Sequence, residues 1–366
     1  MNNFDAVIIG GGATGTSVFR DLSMRGLKVC LIEKREISAG TTSHSHQNLV
    51  SGFRYILKDP LVAEECAKEN EIIAQIAPHV IEPIRNYFLG FSGSYTEKAL
   101  GVAKDLGIWF KQVKPEVAFR EIHSLNRKID IVIETNDRDI DAAMFCKLNC
   151  NSAIKRDGIL FERTPIERIE RRSKEFIVEA GDGLKISAKC IVNAAGAWAN
   201  NVVSKLGVEL MLLYNQGTII VQKSLSPRGL QYFHEPGDGD AYIVHDGLAW
   251  LGTTSTTIKS PDEASPEPGV EDYLKEKFSV IIPEVVNQET IYKFVGVRPL
   301  LREKNTFNGR EQTRSFQIIE NPEGFYSIIG GKLTTARLMA EKVSDMICEE
   351  MGMNIKCTTA KLPLGD

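Results

Sequence analysis

At 366 residues, with 43% hydrophobic and 25% charged side chains, the chain is long for one core and comfortable for two. A formal charge of −4 gives no electrostatic case for nucleic acid, and no long basic run supplies one locally. No apolar stretch reaches the ~18–20 residues of a membrane span, and Met1–Asp5 lacks the basic start of a secretory leader. The expected setting is the cytoplasm, or the inner face of a membrane as a peripheral protein.

Phe4–Ile9 is an apolar run with one acidic residue, as a buried parallel strand requires. Gly10-Gly11-Gly12-Ala13-Thr14-Gly15 follows, then a helical stretch Thr16–Arg25 with Val18, Phe19 and Leu22 on its inner face, then a second apolar strand Leu27–Ile32 ending at Glu33. Gly10 serves the tight turn, Gly12 lets backbone approach a pyrophosphate, and Gly15 allows close helix–strand packing. The helix start offers free N–H groups and a partial positive charge to phosphates. Glu33 stands where a carboxylate accepts hydrogen bonds from an adenosine ribose and would repel a 2′-phosphate. The whole strand–turn–helix–strand–Glu unit predicts adenine-dinucleotide binding.

Later segments favour FAD over NAD. Ser38–His46 is rich in small hydrogen-bonding residues and can wrap a second, larger face of a cofactor. A helix is expected over Leu61–Ala77, after Asp59-Pro60. Cys146 and Cys150 share a helix face and read as two buried thiols. With no CxxC among the seven cysteines, neither a zinc nor an iron–sulfur site is expected, and a reducing compartment is. Lys189–Ala195 is a strand leading into Gly196-Ala197-Trp198, which returns the chain to the dinucleotide. Gly217–Gln222 and Ala241–Thr254 carry antiparallel-strand patterning, and 260–269 is the most loop-like stretch. Phe325–Ile329 leads through Gly330-Gly331-Lys332 into a long helix, Leu333–Met351, whose start can face the electronegative edge of a flavin.

The expected cofactor-binding residues are Gly10, Gly12, Ala13, Thr14, Gly15, Glu33 and Lys34 around the first turn, and Thr41, Thr42, Ser43 and His46 in the wrapping segment. Ala195, Gly196 and Trp198, with Gly330, Gly331, Lys332, Leu333 and Thr334, complete the set. The fold class is α/β: a discontinuous Rossmann-type FAD-binding domain (1–85, 140–210 and 295–366) with a second, antiparallel β-rich substrate-binding domain (86–139 and 211–294). A single dinucleotide fingerprint means no separate NADH site, so electrons leave to oxygen, a quinone or a protein partner.

These marks resemble the D-amino-acid-oxidase-like flavoproteins over the whole chain. Within them the sequence looks most like the FAD-dependent glycerol-3-phosphate dehydrogenases, especially the catalytic A chain type of the anaerobic enzyme. The pieces that carry the likeness are the glycine opening, Ser51-Gly52-Phe53-Arg54-Tyr55, Leu251-Gly252-Thr253-Thr254, Gly296-Val297-Arg298-Pro299-Leu300 and Gly330-Gly331-Lys332-Leu333-Thr334-Thr335. The resemblance implies oxidation of sn-glycerol 3-phosphate to dihydroxyacetone phosphate, with Arg54 and Arg298 facing a small anionic substrate and electrons passing to a quinone or partner subunit. Tyr55 and Lys332 join them as substrate or flavin contacts, and His46 and His234 are the candidate bases. The chain departs from the likeness at Val50, where relatives commonly carry histidine, and at His44-Ser45, where an Arg-Asn pair is usual. It also stops near Lys361–Leu364, where the anaerobic enzymes continue into a cysteine-bearing domain. Two other readings stay open: oxidation of a 2-hydroxy acid or secondary amine, with Arg298 holding a carboxylate, and a flavin-binding subunit without turnover.

Overall fold

In the computed structural model, which describes residues 2–234, 239–302, 313 and 315–365, the first strand extends over Asn2–Ile9 and lies inside a sheet. The parallel core of that sheet runs, in spatial order, Phe325–Gly330, Leu184–Asn193, Asn2–Ile9, Val29–Ile32 and Ile159–Phe161. Both faces are covered, which is why the central strand is almost uninterruptedly apolar: Ala6, Val7 and Ile8 are fully buried. Helices Ala13–Met24, Ala142–Ile154 and Ala336–Glu350 contribute Val18, Phe19, Phe145, Cys146, Cys150 and Met339 to the core on one face. The opposite face packs Val7, Ile9 and Ile191 against the antiparallel pair Ile166–Arg172 and Glu175–Ala180 and the short helix Ala199–Val203. All seven cysteines are free thiols.

The second sheet runs Thr256–Ile258, Leu212–Lys223, Leu248–Gly252, Asp240–His245, Leu230–Tyr232, Ile81–Gly90, Ile131–Ile140 and Asn48–Leu49. Tyr292–Leu301 adds to Leu212–Lys223 over ten residue pairs, and Phe110–Val113 to Ile131–Ile140. All pairs are antiparallel except Leu230–Tyr232 with Ile81–Gly90. One face is covered by helix Val270–Ser279, through Leu274 and Phe278, and by Ala118 and Ile122 at helix Pro115–Glu121. The α/β class with a second antiparallel unit is the architecture observed.

Details differ from the expectation. The first helix starts at Ala13 rather than Thr16, because Gly12 already serves as its N-cap and its carbonyl accepts from the Thr16 N–H at 3.0 Å. The last helix starts at Ala336 rather than Leu333; the preceding residues form a turn in which Thr335 N donates to the Lys332 carbonyl. Sheet membership also crosses the expected domain boundaries. Ile81–Gly90 straddles residue 85, Tyr292–Leu301 straddles 295, and Asn48–Leu49 belongs to the second sheet. Strand partners are set by long-range pairing, which local pattern does not reveal. Among the described residues no helix is long and apolar enough to cross a membrane.

Candidate active site

Between the two sheets lies a cavity of ≈ 560 Å³, within the range of small-molecule and cofactor sites. One end is the glycine turn at the carboxyl end of the parallel strands. Gly10 adopts φ 111°, and a Cβ on Gly15 would overlap the Gly10 carbonyl oxygen, so only glycine lets the helix start this close to the strand. Glu33 ties the turn from the next strand: its carboxylate accepts from Gly11 N at 2.7 Å and from Arg35 N at 2.8 Å. Thr42 closes the other side, its hydroxyl accepting from Ala13 N at 3.0 Å. Gly15→Val is expected to give a folded, colourless protein, read as the ratio of flavin to protein absorbance after purification.

Most of the expected cofactor residues line this cavity. Gly10, Gly12, Ala13, Thr14, Glu33, Lys34, Thr41 and Thr42 do so, as do His46, Ala195, Gly196, Trp198 and the run Gly330–Thr334. Two do not. Gly15 acts from behind, through the helix approach, and the Ser43 hydroxyl is turned to Ser38 at 2.7 Å. Trp198 sits under two cations, Lys34 Nζ at 4.5 Å and Arg35 at 5.1 Å from its ring, while its Nε1–H donates to Asp262 at 2.7 Å. That bond fastens the loop-like stretch after Ser260 to the edge of the cavity.

The other end gathers His46, Arg54, Tyr55, Arg298 and Lys332. Arg54 and Tyr55 project from the short turn Phe53–Tyr55, which begins at Gly52 with φ 93°. A Cβ on Gly52 would overlap the Ala63 carbonyl oxygen, so the turn presses on helix Pro60–Ile76 as only glycine permits. From below, the buried Asp137 carboxylate accepts from Ser51 N, from Thr135 at 3.1 Å and from Gln231 at 2.8 Å. The Arg54 guanidinium lies 5.6 Å from the Tyr55 ring and Lys332 Nζ lies 4.6 Å from it, so Tyr55 is bracketed by cations. Arg298 is held by Asn215 at 2.7 Å and by the Thr253 hydroxyl at 2.6 Å.

His46 is 8% exposed, and its Nε2 is buried without a hydrogen-bond partner. Burial, then the Arg54 and Arg298 cations and His245, hold its imidazole well below the usual range. The ring is therefore neutral at pH 7 and keeps a lone pair to accept a proton. His234 is not part of this group: it is exposed, does not line the cavity, and its ring meets Tyr232 edge-on at 6.1 Å. The strand Leu230–Tyr232 ends just before it, so its direction is set by the chain leaving the sheet.

Sequence reasoning assigned no role to several residues here. Val50 lines the cavity and packs with Val62 and Cys66, an apolar cluster that carries no motif. Thr253 and Thr254 belong to a quoted segment, yet their contact with Arg298 needs the sheet pairing. Asp139, beneath the wrapping segment, accepts from Asn48 at 2.8 Å and from Asn86 at 3.4 Å, and burial pushes its carboxyl up from 3.8 to about 6. The folded state thus binds more protons than the unfolded state between these values, and stability is lost as pH rises through 6. Asp139→Asn is expected to raise Tm by a few degrees at pH 8 and by much less at pH 4.5, measured by differential scanning calorimetry.

Comparison with known proteins agrees with this geometry. A family model described as FAD dependent oxidoreductase matches residues 5–346. The A1 subunit of the anaerobic glycerol-3-phosphate dehydrogenase of Haloferax volcanii is 33% identical over 98% of this chain and 66% of its own length. Its counterpart in Haemophilus influenzae, from an anaerobic glycerol-3-phosphate dehydrogenase as well, is 29% identical over 98% of this chain and 67% of its own. The chain spans about two thirds of the length of these relatives. The glycerol-3-phosphate dehydrogenase of Bacillus halodurans, solved with FAD, superposes with TM-score 0.77 at 21% identity, over 99% of this chain and 68% of that one. Glycine oxidase of Geobacillus kaustophilus gives TM-score 0.78 at 16% identity, over 100% and 99%. At such identities these two structures speak for the fold.

Proposed function

The chain belongs to the FAD-dependent oxidoreductase family, and on that premise we propose that it oxidises sn-glycerol 3-phosphate to dihydroxyacetone phosphate. The observation that carries the choice of substrate is the convergence of three cations, Arg54, Arg298 and Lys332, on one end of one cavity. A carboxylate or an amine needs one cation or none; a phosphate monoester takes several. The relatives named above support the same reading.

The residues present fit the cofactor: a glycine turn with no room for side chains, a carboxylate at the ribose position, and a cavity continuing to a second sheet. Gly10, Gly12, Ala13 and Thr14 would hold its pyrophosphate and Glu33 its ribose, with Lys34 and Trp198 beside the adenine. Thr41, Thr42, Ala195, Gly196 and Gly330–Thr334 would hold the remainder, and Gly15 and Ser43 would support these from behind. FAD, when bound, supplies the hydride acceptor.

The chain's own side chains do the rest. Arg54, Arg298 and Lys332 fix the phosphate and so orient the carbinol carbon. His46 accepts the hydroxyl proton on its neutral imidazole as hydride leaves carbon. Tyr55, held between two cations, offers its hydroxyl to the substrate. We read the electron acceptor as a quinone or a partner protein, in keeping with the names of the relatives, which are subunits of larger enzymes. We read the working location as the cytoplasm or the inner face of a membrane, peripherally bound. Anaerobic mixing of the yellow protein with sn-glycerol 3-phosphate is expected to bleach the flavin absorbance rapidly. No bleaching in a sample that dithionite does reduce would remove this proposal.

A further inference from the structure

The substrate end carries an acid as well as its cations. Among the described residues lining the cavity, the carboxylates are Glu33, at the glycine turn, and Asp240. Asp240 is 4% exposed and opens the strand Asp240–His245. Its neighbour Gly239 is bonded twice to Arg54: Gly239 N donates to the Arg54 carbonyl at 3.2 Å, and Arg54 Nη2 donates to the Gly239 carbonyl oxygen at 2.5 Å. The acid is therefore one peptide unit from the backbone oxygen on which the Arg54 guanidinium rests.

Lys277 comes to Asp240 from the far side. It belongs to helix Val270–Ser279, does not line the cavity, and is 3% exposed, with Nζ 2.6 Å from Asp240 Oδ1. The Tyr232 hydroxyl donates to the Lys277 carbonyl oxygen and pins that turn of the helix to the sheet. Burying a lysine this completely is costly unless it is paired, and here the pair is with the acid of the substrate end. Without Lys277 the buried Asp240 carboxylate would lose that pairing, one peptide unit from the carbonyl oxygen on which the Arg54 guanidinium rests.

We propose that Lys277 is a positioning residue for anion specificity: by engaging Asp240 it keeps that carboxylate off Arg54 and leaves the guanidinium to the substrate's phosphate. The identity of the anion rests on the function proposed above; the arrangement of Lys277, Asp240 and Arg54 does not. It also predicts a preference for dianions, since a weakly charged ligand gains less from an Arg54 that Asp240 leaves unneutralised.

The test compares flavin-loaded wild type, Lys277→Met, Asp240→Asn and the double variant by steady-state kinetics and by titrating the flavin spectrum with inorganic phosphate. For Lys277→Met, KM for sn-glycerol 3-phosphate is expected to rise about 10–100-fold with kcat within about threefold, and phosphate binding to weaken in parallel. The double variant, which holds no uncompensated charge, is expected to return to within about threefold of wild type, and Asp240→Asn alone to bind phosphate at least as tightly as wild type. An unchanged KM in Lys277→Met, an equal loss in single and double variants, or tenfold weaker phosphate binding in Asp240→Asn would each overturn the proposal. If Lys277→Met does not fold, the double variant and Asp240→Asn decide it alone. A wild type whose flavin responds to phosphate but is not reduced by sn-glycerol 3-phosphate would remove the substrate reading and leave this one standing.

Discussion

Replacing Arg54 by methionine is expected to lower kcat/KM for sn-glycerol 3-phosphate by about 10²–10³-fold, because truncating a buried hydrogen-bonded charge in an anion site costs about 2–5 kcal/mol. Methionine keeps most of the volume, so the apolar contacts of the Phe53–Tyr55 turn survive. Flavin content should be unchanged, since Arg54 stands at the opposite end of the cavity from the glycine turn. The buried Asp137 carboxyl, already raised by burial and lowered in part by Arg54, should rise further. Steady-state kinetics with an artificial acceptor, alongside the flavin-to-protein ratio, check this. Arg298 is a less clean target, because its bonds to Asn215 and Thr253 also hold the wall together. A loss smaller than threefold for Arg54→Met would take that arginine out of the phosphate site.

His46→Gln is expected to slow flavin reduction by about 10²–10⁴-fold, the usual contribution of a positioned general base. Substrate binding should change little, because His46 is neutral and adds no charge to the anion site. The pH profile follows from the causes of its depressed pKa. Burial acts in both free and bound enzyme, whereas the push from Arg54 and Arg298 fades once a phosphate neutralises them. The His46 pKa should therefore be higher in the substrate complex than in the free enzyme. The acid limb of kcat, which reports the complex, is expected at higher pH than the acid limb of kcat/KM, which reports the free enzyme. Coincident limbs, or a His46→Gln enzyme that reduces its flavin at the wild-type rate, would assign the proton to another group.

The two ends of the cavity differ in how far they could be read from the chain. The glycine-turn part of the cofactor end is written within the first 33 residues: strand, glycine turn, helix, strand and carboxylate follow one another in a single strand–helix–strand unit. Gly11 N meets Glu33 because the fold closes locally. The substrate end has no such continuity. Its wall draws on Arg54, Gly239, Thr253 and Arg298, and Arg298 meets Thr253 only because Leu212–Lys223 accepts partners on both sides, Leu248–Gly252 and Tyr292–Leu301. Resemblance supplied Arg54 and Arg298, which composition alone would have left as paired structural arginines. Nothing marked Asp240 or Lys277, an acid at a strand start and a lysine on an amphipathic helix, because their meaning lies in a contact between them. Ser43 and His234 show the converse. Each stands in a segment that reaches the site, yet local backbone direction turns the serine toward Ser38 and the histidine toward solvent.

The central strand of the first sheet has a consequence for how the chain is made. Asn2–Ile9 is made well before one of its two neighbours, Leu184–Asn193, whose other parallel partner is Phe325–Gly330. At roughly 5–20 residues per second, about ten seconds or more pass before that neighbour exists and longer before the sheet can close. Throughout that time Ala6–Ile9 has only the short strand Val29–Ile32 to pair with. A nascent chain in that state exposes a β-prone apolar edge, the kind of segment that chaperones shield and that aggregates when they are scarce. Yield during overexpression should therefore respond to slower translation and lower temperature more than to added flavin, because the cofactor's cradle is not complete until residue 334 has emerged.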